Sequence, residues 1–307
     1  MIKDPYGRPL TGLRISVTQR CNLDCFYCHL EGEMRKRITV DMTPGEIEVI
    51  GKIASSFGIS KIKLTGGEPL IRRDIVDIVE RLNGIVGIKE ISMTTNGTLI
   101  KGVAIDLREA GLSRVNISMD TLKPEVYRRI TGFNLLEEVI VGVKEAVEAG
   151  FSPVKLNMVV MKGLNHNEVW DMIEFVRENG LILQLIELES PSAEADEIYR
   201  TFHYDLSNIE NELQKKAEKI IIREMHHRKK YILPEDVEVE IVKPMHNTEF
   251  CKYCNRLRVT SDGKLKPCLF RNDNLVNFIG PLRSGASDNL LKKIFLKAVE
   301  KRKPFFA

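Results

Sequence analysis

Short β-rich runs alternate with longer helical patterns over the first two thirds of this chain. The candidate strands are Leu13 to Thr18, Lys61 to Thr65, Glu90 to Thr94, Arg114 to Met119, Val154 to Val160 and Leu181 to Ile186. Between them, helical spacing of apolar residues runs over Pro44 to Phe57, Asp74 to Leu82, Ile105 to Ala110, Leu135 to Ala149 and Asn167 to Asn179, with Thr43 placed to cap the first. Six strand–helix repeats in a row predict an α/β fold, a parallel sheet with right-handed crossovers curled into a partial (β/α)6 barrel of TIM type. An open doubly wound sheet would give a similar pattern.

The unusual residues favour the barrel. A cysteine-rich loop follows the first strand, Thr65-Gly66-Gly67-Glu68-Pro69 follows the second, Thr94-Thr95-Asn96-Gly97 ends the third and Ser118-Met119-Asp120 ends the fourth. All lie at carboxyl ends of strands, where barrel enzymes place their chemistry. Asn96-Gly97 alone is ordinary turn chemistry. Four such loops on one face point to a shared site.

All six cysteines fall into two clusters. Cys21, Cys25 and Cys28 have the spacing C-x3-C-x2-C and offer three thiolates from one loop. A four-iron cluster held by three thiolates keeps one iron open to bind and reduce a small molecule. Disulfides fit badly, because Met1-Ile2-Lys3-Asp4-Pro5 has no apolar signal region and the chain is too long to need staples. Zinc wants a fourth protein ligand, and the front loop offers only His29, awkwardly placed beside Cys28.

With 307 residues and 43% apolar content, the chain can bury one large core plus a smaller appended unit. No apolar stretch reaches the roughly 18 to 20 residues that span a bilayer. A soluble protein in the reducing cytoplasm is expected, with no membrane partner. The 46 Lys and Arg barely exceed the 43 Asp and Glu, so no global basic field attracts nucleic acid and any anion site must be local.

From about Ser190 the repeat breaks down. Pro191 to Asp205 is loop-like, Leu206 to Ile221 reads as an amphipathic helix, and the basic stretch His226-His227-Arg228-Lys229-Lys230 leads into a run from Val237 to Val242. His226, His227 and His246 are weak candidates for metal ligands, since isolated histidines are more often surface or satisfied residues. The rear cluster joins Cys251 and Cys254, spaced C-x2-C, to Cys268 after thirteen residues. A zinc site completed by histidine is the alternative here, but no histidine lies between Cys254 and Cys268 or beyond. A second iron–sulfur cluster with an open iron, binding substrate directly, fits three thiolates better.

The front spacing, with aromatic Tyr27 just before Cys28, is the signature of radical S-adenosylmethionine (radical SAM) enzymes. The opening Asp4-Pro5-Tyr6-Gly7-Arg8-Pro9-Leu10-Thr11-Gly12-Leu13-Arg14-Ile15-Ser16-Val17-Thr18, together with the rear C-x2-C-N-R-x-R motif and Cys268, resembles the GTP 3′,8-cyclase family, the A proteins of molybdenum cofactor biosynthesis. The resemblance covers nearly the whole chain. It implies a barrel over residues 1–189 with a [4Fe-4S] cluster, and a C-terminal region over 190–307 that covers the barrel opening and carries a second [4Fe-4S] cluster and GTP-binding residues.

It further implies that S-adenosylmethionine, chelated by the first cluster, yields a 5′-deoxyadenosyl radical. This takes the C3′ hydrogen of GTP, and the carbon radical attacks C8 to give (8S)-3′,8-cyclo-7,8-dihydroguanosine 5′-triphosphate after one more electron and a proton. Cys21, Cys25 and Cys28 match ligands of the first cluster, and Cys251, Cys254 and Cys268 those of the second. Tyr27, Gly67 and Ser118 match contacts to S-adenosylmethionine, with Glu68 and Asn96 orienting it. Arg14, Lys63, Thr94, Lys155, Arg256, Leu257 and Arg258 match positions around GTP, and a triphosphate does need convergent Arg and Lys. No catalytic residue is implied beyond the cluster-bound radical source. Implied partners are a one-electron donor such as a ferredoxin or flavodoxin and the downstream cyclic pyranopterin monophosphate synthase; a homodimer is left open.

Two features depart from the family pattern. The chain ends Lys303-Pro304-Phe305-Phe306-Ala307 instead of in Gly-Gly, and after the sixth strand it has Ile186-Glu187-Leu188-Glu189 where many members carry a methionine near S-adenosylmethionine. That contact is not transferred to Glu189. Two other readings stay open: a radical peptide- or RNA-modifying enzyme with an auxiliary cluster, and a non-catalytic metal-binding module acting as a redox sensor or nucleic-acid binder.

Overall fold

The computed structural model describes residues 2–33, 40–190, 192 and 195–306. Strands β1 (Gly12–Ser16), β2 (Lys61–Thr65), β3 (Glu90–Thr95), β4 (Arg114–Ser118), β5 (Val154–Val160) and β6 (Ile182–Glu187) pair side by side in chain order, all parallel. A doubly wound sheet would reverse its order at a switch point, and this one does not. It is the partial barrel.

Helices α1 (Pro44–Ser56), α2 (Ile75–Asn83), α3 (Ala104–Glu109), α4 (Pro124–Thr131), α5 (Leu136–Glu148) and α6 (Val169–Glu178) are the crossovers. Helix α1 starts at Thr43 because Thr43 and Glu46 form a reciprocal capping box, with Pro44 in the first turn. Helix α4 is unforeseen; Pro124 opens it and Gly132, in the left-handed conformation, ends it.

Strand alternation divides the sheet into two faces. Leu13, Ile15, Ile62, Leu64, Ile91, Met93, Val115 and Ile117 pack in the core. The intervening Arg14, Lys63, Ser92, Thr94 and Asn116 line a cavity on the other face. A wholly apolar barrel interior would be a packed core; this polar face makes a chamber.

The C-terminal third extends the same sheet at both edges. Strands β7 (Lys219–Ile222), β8 (Lys229–Leu233) and β9 (Val237–Val242) form an antiparallel meander, and β9 pairs parallel with β6. Strand β10 (Arg256–Val259) pairs parallel with β1, followed by antiparallel β11 (Lys264–Lys266) and β12 (Val276–Asn277). Helices α7 (Glu197–Phe202), α8 (Ser207–Lys216), α9 (Thr248–Lys252), α10 (Ile279–Arg283) and α11 (Asp288–Glu300) complete the region.

Two expectations are corrected here. The helix expected over Leu206 to Ile221 stops at Lys216, because Ala217 turns extended and the β-branched run Ile220-Ile221-Ile222 pairs with β8. The stretch expected to be loop from Pro191 to Asp205 contains α7, capped by Asp196, which accepts the Tyr199 N–H at 3.2 Å; Pro191 itself lies outside the described residues. Among the described residues no helix is long and apolar enough to cross a membrane.

Candidate active site

The front cysteine loop leaves the end of β1. Its backbone is tied to the unforeseen α4, since the Asp24 and Phe26 N–H groups donate to the carbonyls of Thr131 and Ile130 at 3.0 and 3.1 Å. Cys21, Cys25 and Cys28 are free thiols. Burial pushes the Cys21 and Cys25 thiols up, and the other cysteines of the loop add to the effect, so all three gather within electrostatic reach of one another. Three mutually repelling thiolates converge stably only on a cation, which is what an iron–sulfur cluster supplies.

The Gly-Gly loop lies directly against this one. A Cβ on Gly67 would sit 2.2 Å from the Arg20 carbonyl oxygen, so only glycine permits the approach. The Gly67 and Glu68 N–H groups donate to Thr18 and Arg20 carbonyls at 2.7 and 2.8 Å. Glu68 is fully buried and accepts bonds from the Asn96 N–H (2.6 Å), the Thr95 hydroxyl (2.7 Å) and the Leu70 N–H (3.0 Å). Burial nonetheless pushes its carboxyl up to about 7. Asn96 points its amide toward Cys21 Sγ at 3.9 Å and bonds Asn22 at 2.8 Å. Thus Gly67, Glu68 and Asn96 surround the front loop. The Tyr27 hydroxyl donates to Asp120 at 2.6 Å, and burial raises Asp120 to about 6.

Beyond Tyr27, Ser118 and Asp120 opens a cavity of about 670 Å³ that runs through the barrel to the rear cysteines. Arg14, Lys63, Thr94, Lys155, Arg256 and Arg258 all line it, with Cys251, Cys254 and Cys268. Leu257 does not; strand alternation turns its side chain into the core, 0% exposed. Cys21, Cys25, Cys28, Gly67, Glu68 and Asn96 lie outside its lining, to which the front loop contributes Tyr27 and His29.

Charge in the cavity is unbalanced. Eleven Lys and Arg line it against six Asp and Glu. Two carboxylates hold five of these cations in place. Glu31 bonds both Arg14 and Arg258, the latter at 2.7 Å, and Thr65 at 2.9 Å; burial opposes its ionisation, but the two guanidiniums hold its carboxyl well below the usual range. Glu240, fully buried beneath the wall, pairs with Lys155 at 2.6 Å, Arg223 at 2.5 Å and Arg228 at 3.6 Å, and accepts from Gln184. Burial alone would raise it, yet the three cations bring it down to about 2. Lys63 and Arg256 instead bond neutral groups, Asn116 at 3.0 Å and His226 at 3.3 Å. Burial, then neighbouring cations, press Lys63 well below its ordinary value and Arg256 to about 9. Such a chamber favours a polyanion.

Spacing in the sequence did not reveal Glu31, Asp120, Arg223, Arg228 or Glu240 as parts of this site; only Asp120, at a carboxyl strand end, carried a positional hint. Glu189 lines the cavity, and burial raises its carboxyl. Lys303 and Phe305 also reach the lining. His226 is buried and stacked on Phe250 at 3.7 Å, and His227 stacks on Tyr253 at 3.9 Å. His246 packs beside Phe306, and no compact metal-binding group of histidine, cysteine and carboxylate side chains occurs among the described residues.

Comparison with known proteins decides the family. The radical SAM superfamily model matches residues 15–176, and the Molybdenum Cofactor Synthesis C model matches residues 181–307. Proteins named "Probable GTP 3',8-cyclase" align end to end. One from Thermococcus kodakarensis is 53% identical over 310 residues, covering 100% of both chains. Another from Methanothermobacter marburgensis is 52% identical over 306 residues, covering 99% of each. The chain belongs to the GTP 3′,8-cyclase family of radical SAM enzymes. Membership in the superfamily brings S-adenosylmethionine and a [4Fe-4S] cluster, and the front thiols fit that cluster. Among solved structures, Streptococcus suis SuiB bound to S-adenosylmethionine superposes with a TM-score of 0.67 at 19% identity, covering 93% of this chain and 68% of that one. Native anSMEcpe with bound AdoMet gives 0.67 at 18%, covering 97% and 82%. At such identities these two establish the fold alone.

Proposed function

We propose that this chain converts GTP to (8S)-3′,8-cyclo-7,8-dihydroguanosine 5′-triphosphate, the first step of molybdenum cofactor biosynthesis. The observation that carries the reading is the cavity: a cation-rich chamber of about 670 Å³ lined by Tyr27 and His29 of the front cysteine loop and by the three rear cysteines. The volume suits a nucleotide. Bound S-adenosylmethionine and its cluster supply the hydrogen-abstracting radical. The chain's own residues bind, orient and exclude water.

In this reading Cys21, Cys25 and Cys28 hold the first cluster. Tyr27, Gly67, Glu68, Asn96 and Ser118 seat S-adenosylmethionine. Cys251, Cys254 and Cys268 hold a second [4Fe-4S] cluster whose open iron binds the substrate directly. Lys63, Lys155, Arg14, Arg256 and Arg258 take the phosphates and ribose, with Thr94 beside them and Leu257 contributing backbone alone. Residues 1–189 act as the radical-generating barrel and 190–307 as the substrate region. A ferredoxin- or flavodoxin-type donor supplies electrons, and cyclic pyranopterin monophosphate synthase takes the product.

Anaerobic incubation of the reconstituted protein with reductant, S-adenosylmethionine and GTP tests this. The expected result is 5′-deoxyadenosine together with a product of GTP mass and altered retention on chromatography with mass detection. Deoxyadenosine with no GTP isomer would move the substrate elsewhere, and reconstituted protein that never binds GTP would overturn the proposal.

A further inference from the structure

Three charged side chains from the two ends of the chain meet in the interior against the rear cysteine loop. Asp4, Arg8 and Arg302 are 5%, 6% and 0% exposed. Arg8 Nε donates to Asp4 Oδ2 at 2.7 Å, and Arg302 Nη1 lies 3.1 Å from the same oxygen. The other carboxylate oxygen accepts the Tyr6 and Arg8 N–H groups at 3.0 Å, which fixes the N-terminal turn. Each guanidinium then reaches a carbonyl of a rear cysteine. Arg8 Nη1 donates to the Cys251 oxygen at 2.9 Å, and Arg302 Nη2 donates to the Cys254 oxygen at 2.7 Å.

Two buried guanidiniums against one carboxylate leave a net positive charge in the interior. If joining the chain ends were all that was needed, apolar side chains of similar volume would do it at lower cost. What the charged trio adds is direction. Donors aimed at two carbonyls three residues apart fix the turn that presents Cys251 and Cys254, a turn already closed by the Cys254 N–H on the Cys251 oxygen at 3.2 Å. The surplus cation lies beside the Cys254 thiol, where a thiolate would sit.

We propose that Asp4, Arg8 and Arg302 form a clamp that positions the rear cysteine loop to take up its iron–sulfur cluster. This rests on the reading that the rear cysteines hold such a cluster. Iron per chain and the paramagnetic resonance of the reduced protein, followed during exposure to an iron chelator, provide the test. Wild-type protein should carry about eight iron, and about four would overturn the two-cluster reading before any variant is made. Given eight, Arg302→Met and Asp4→Asn should release the rear iron at least about tenfold faster, leaving about four iron, an intact front-cluster signal and unchanged circular dichroism. Arg302→Lys should fall between, and Lys301→Met, an exposed neighbour, should match wild type. Release at the wild-type rate from Arg302→Met and Asp4→Asn would overturn the clamp. Should Arg302→Met not fold, Asp4→Asn and Arg302→Lys decide on the same readout.

Discussion

The two ends of the cavity treat buried carboxylates in opposite ways. Around the front cysteine loop, Glu68 and Asp120 take their bonds from amides and hydroxyls, and burial lifts them to about 7 and about 6. Toward the rear, Glu240 and Glu31 sit among guanidinium and ammonium groups that overcome burial, bringing Glu240 to about 2. Among the cysteines, Cys254 follows the same division, while burial raises Cys268 as it does the front thiols. Burial pushes Cys25 up, whereas at Cys254 Arg302 and Arg256 outweigh burial and draw the thiol down. One chamber therefore has an end whose buried carboxylates pair with no cation and an end where cations outnumber the carboxylates they surround. A sulfonium-bearing cofactor suits the first, and a triphosphate suits the second.

The sharpest test of this division removes one cysteine from each end. Cys28→Ser should lower both 5′-deoxyadenosine and cyclised nucleotide on the order of 10³-fold or more, because the radical source itself fails. Cys254→Ser should abolish the cyclised product while keeping deoxyadenosine formation within about tenfold of wild type. Equal loss of both products in the two variants would break the division.

Next in size is the hub beneath the cation-rich end. Glu240→Gln leaves Lys155, Arg223 and Arg228 buried without their carboxylate, and should cost about 3 to 5 kcal/mol in urea unfolding. Acid titration gives the same residue a second signature. Its folded-state value near 2 lies below its ordinary 4.5, so its stabilisation is complete above pH 4.5 and is lost as pH falls from there toward 2. The variant should lack that part of the acid loss. Smaller again is Arg256→Met, which should weaken GTP about 10- to 100-fold by calorimetry and leave S-adenosylmethionine binding unchanged. Equal weakening of both ligands would show that the ends are not separate.

The front half of this arrangement was legible because its signals are local. Three cysteines within one loop, glycines and acids at strand ends, and Thr43 ahead of the first helical pattern all announce themselves locally. Strands β2 and β5 match their expected limits residue for residue. The rear half depends on long-range pairing. Glu31 meets Arg258 across 227 residues and Lys155 meets Glu240 across 85, and a lone acid with so distant a partner has no periodicity to betray it. Likewise, nothing in the run Arg256 to Val259 tells that it will extend the sheet beside β1. Helix α4 is a different case. Pro124 and Gly132 bracket it in the sequence, but at eight residues its pattern is short beside the barrel's other signals.

The smallest expected effect, and the most specific, concerns Glu68. In the folded protein it keeps its proton up to about pH 7, whereas in the unfolded chain it ionises near 4.5. Between those values the unfolded state binds fewer protons, so stability falls as pH rises, the reverse of the Glu240 case. Glu68→Gln should flatten that slope. A bound ammonium or sulfonium group acts the other way, because it favours the carboxylate. Binding of S-adenosylmethionine should then release a proton below pH 7, and its affinity should rise by up to about tenfold per pH unit before levelling off. Calorimetry in two buffers of different ionisation enthalpy measures that proton directly. If wild type and Glu68→Gln release the same number, Glu68 is not the group that reads the cofactor's charge, and the contrast between the two ends would have to rest on Asp120.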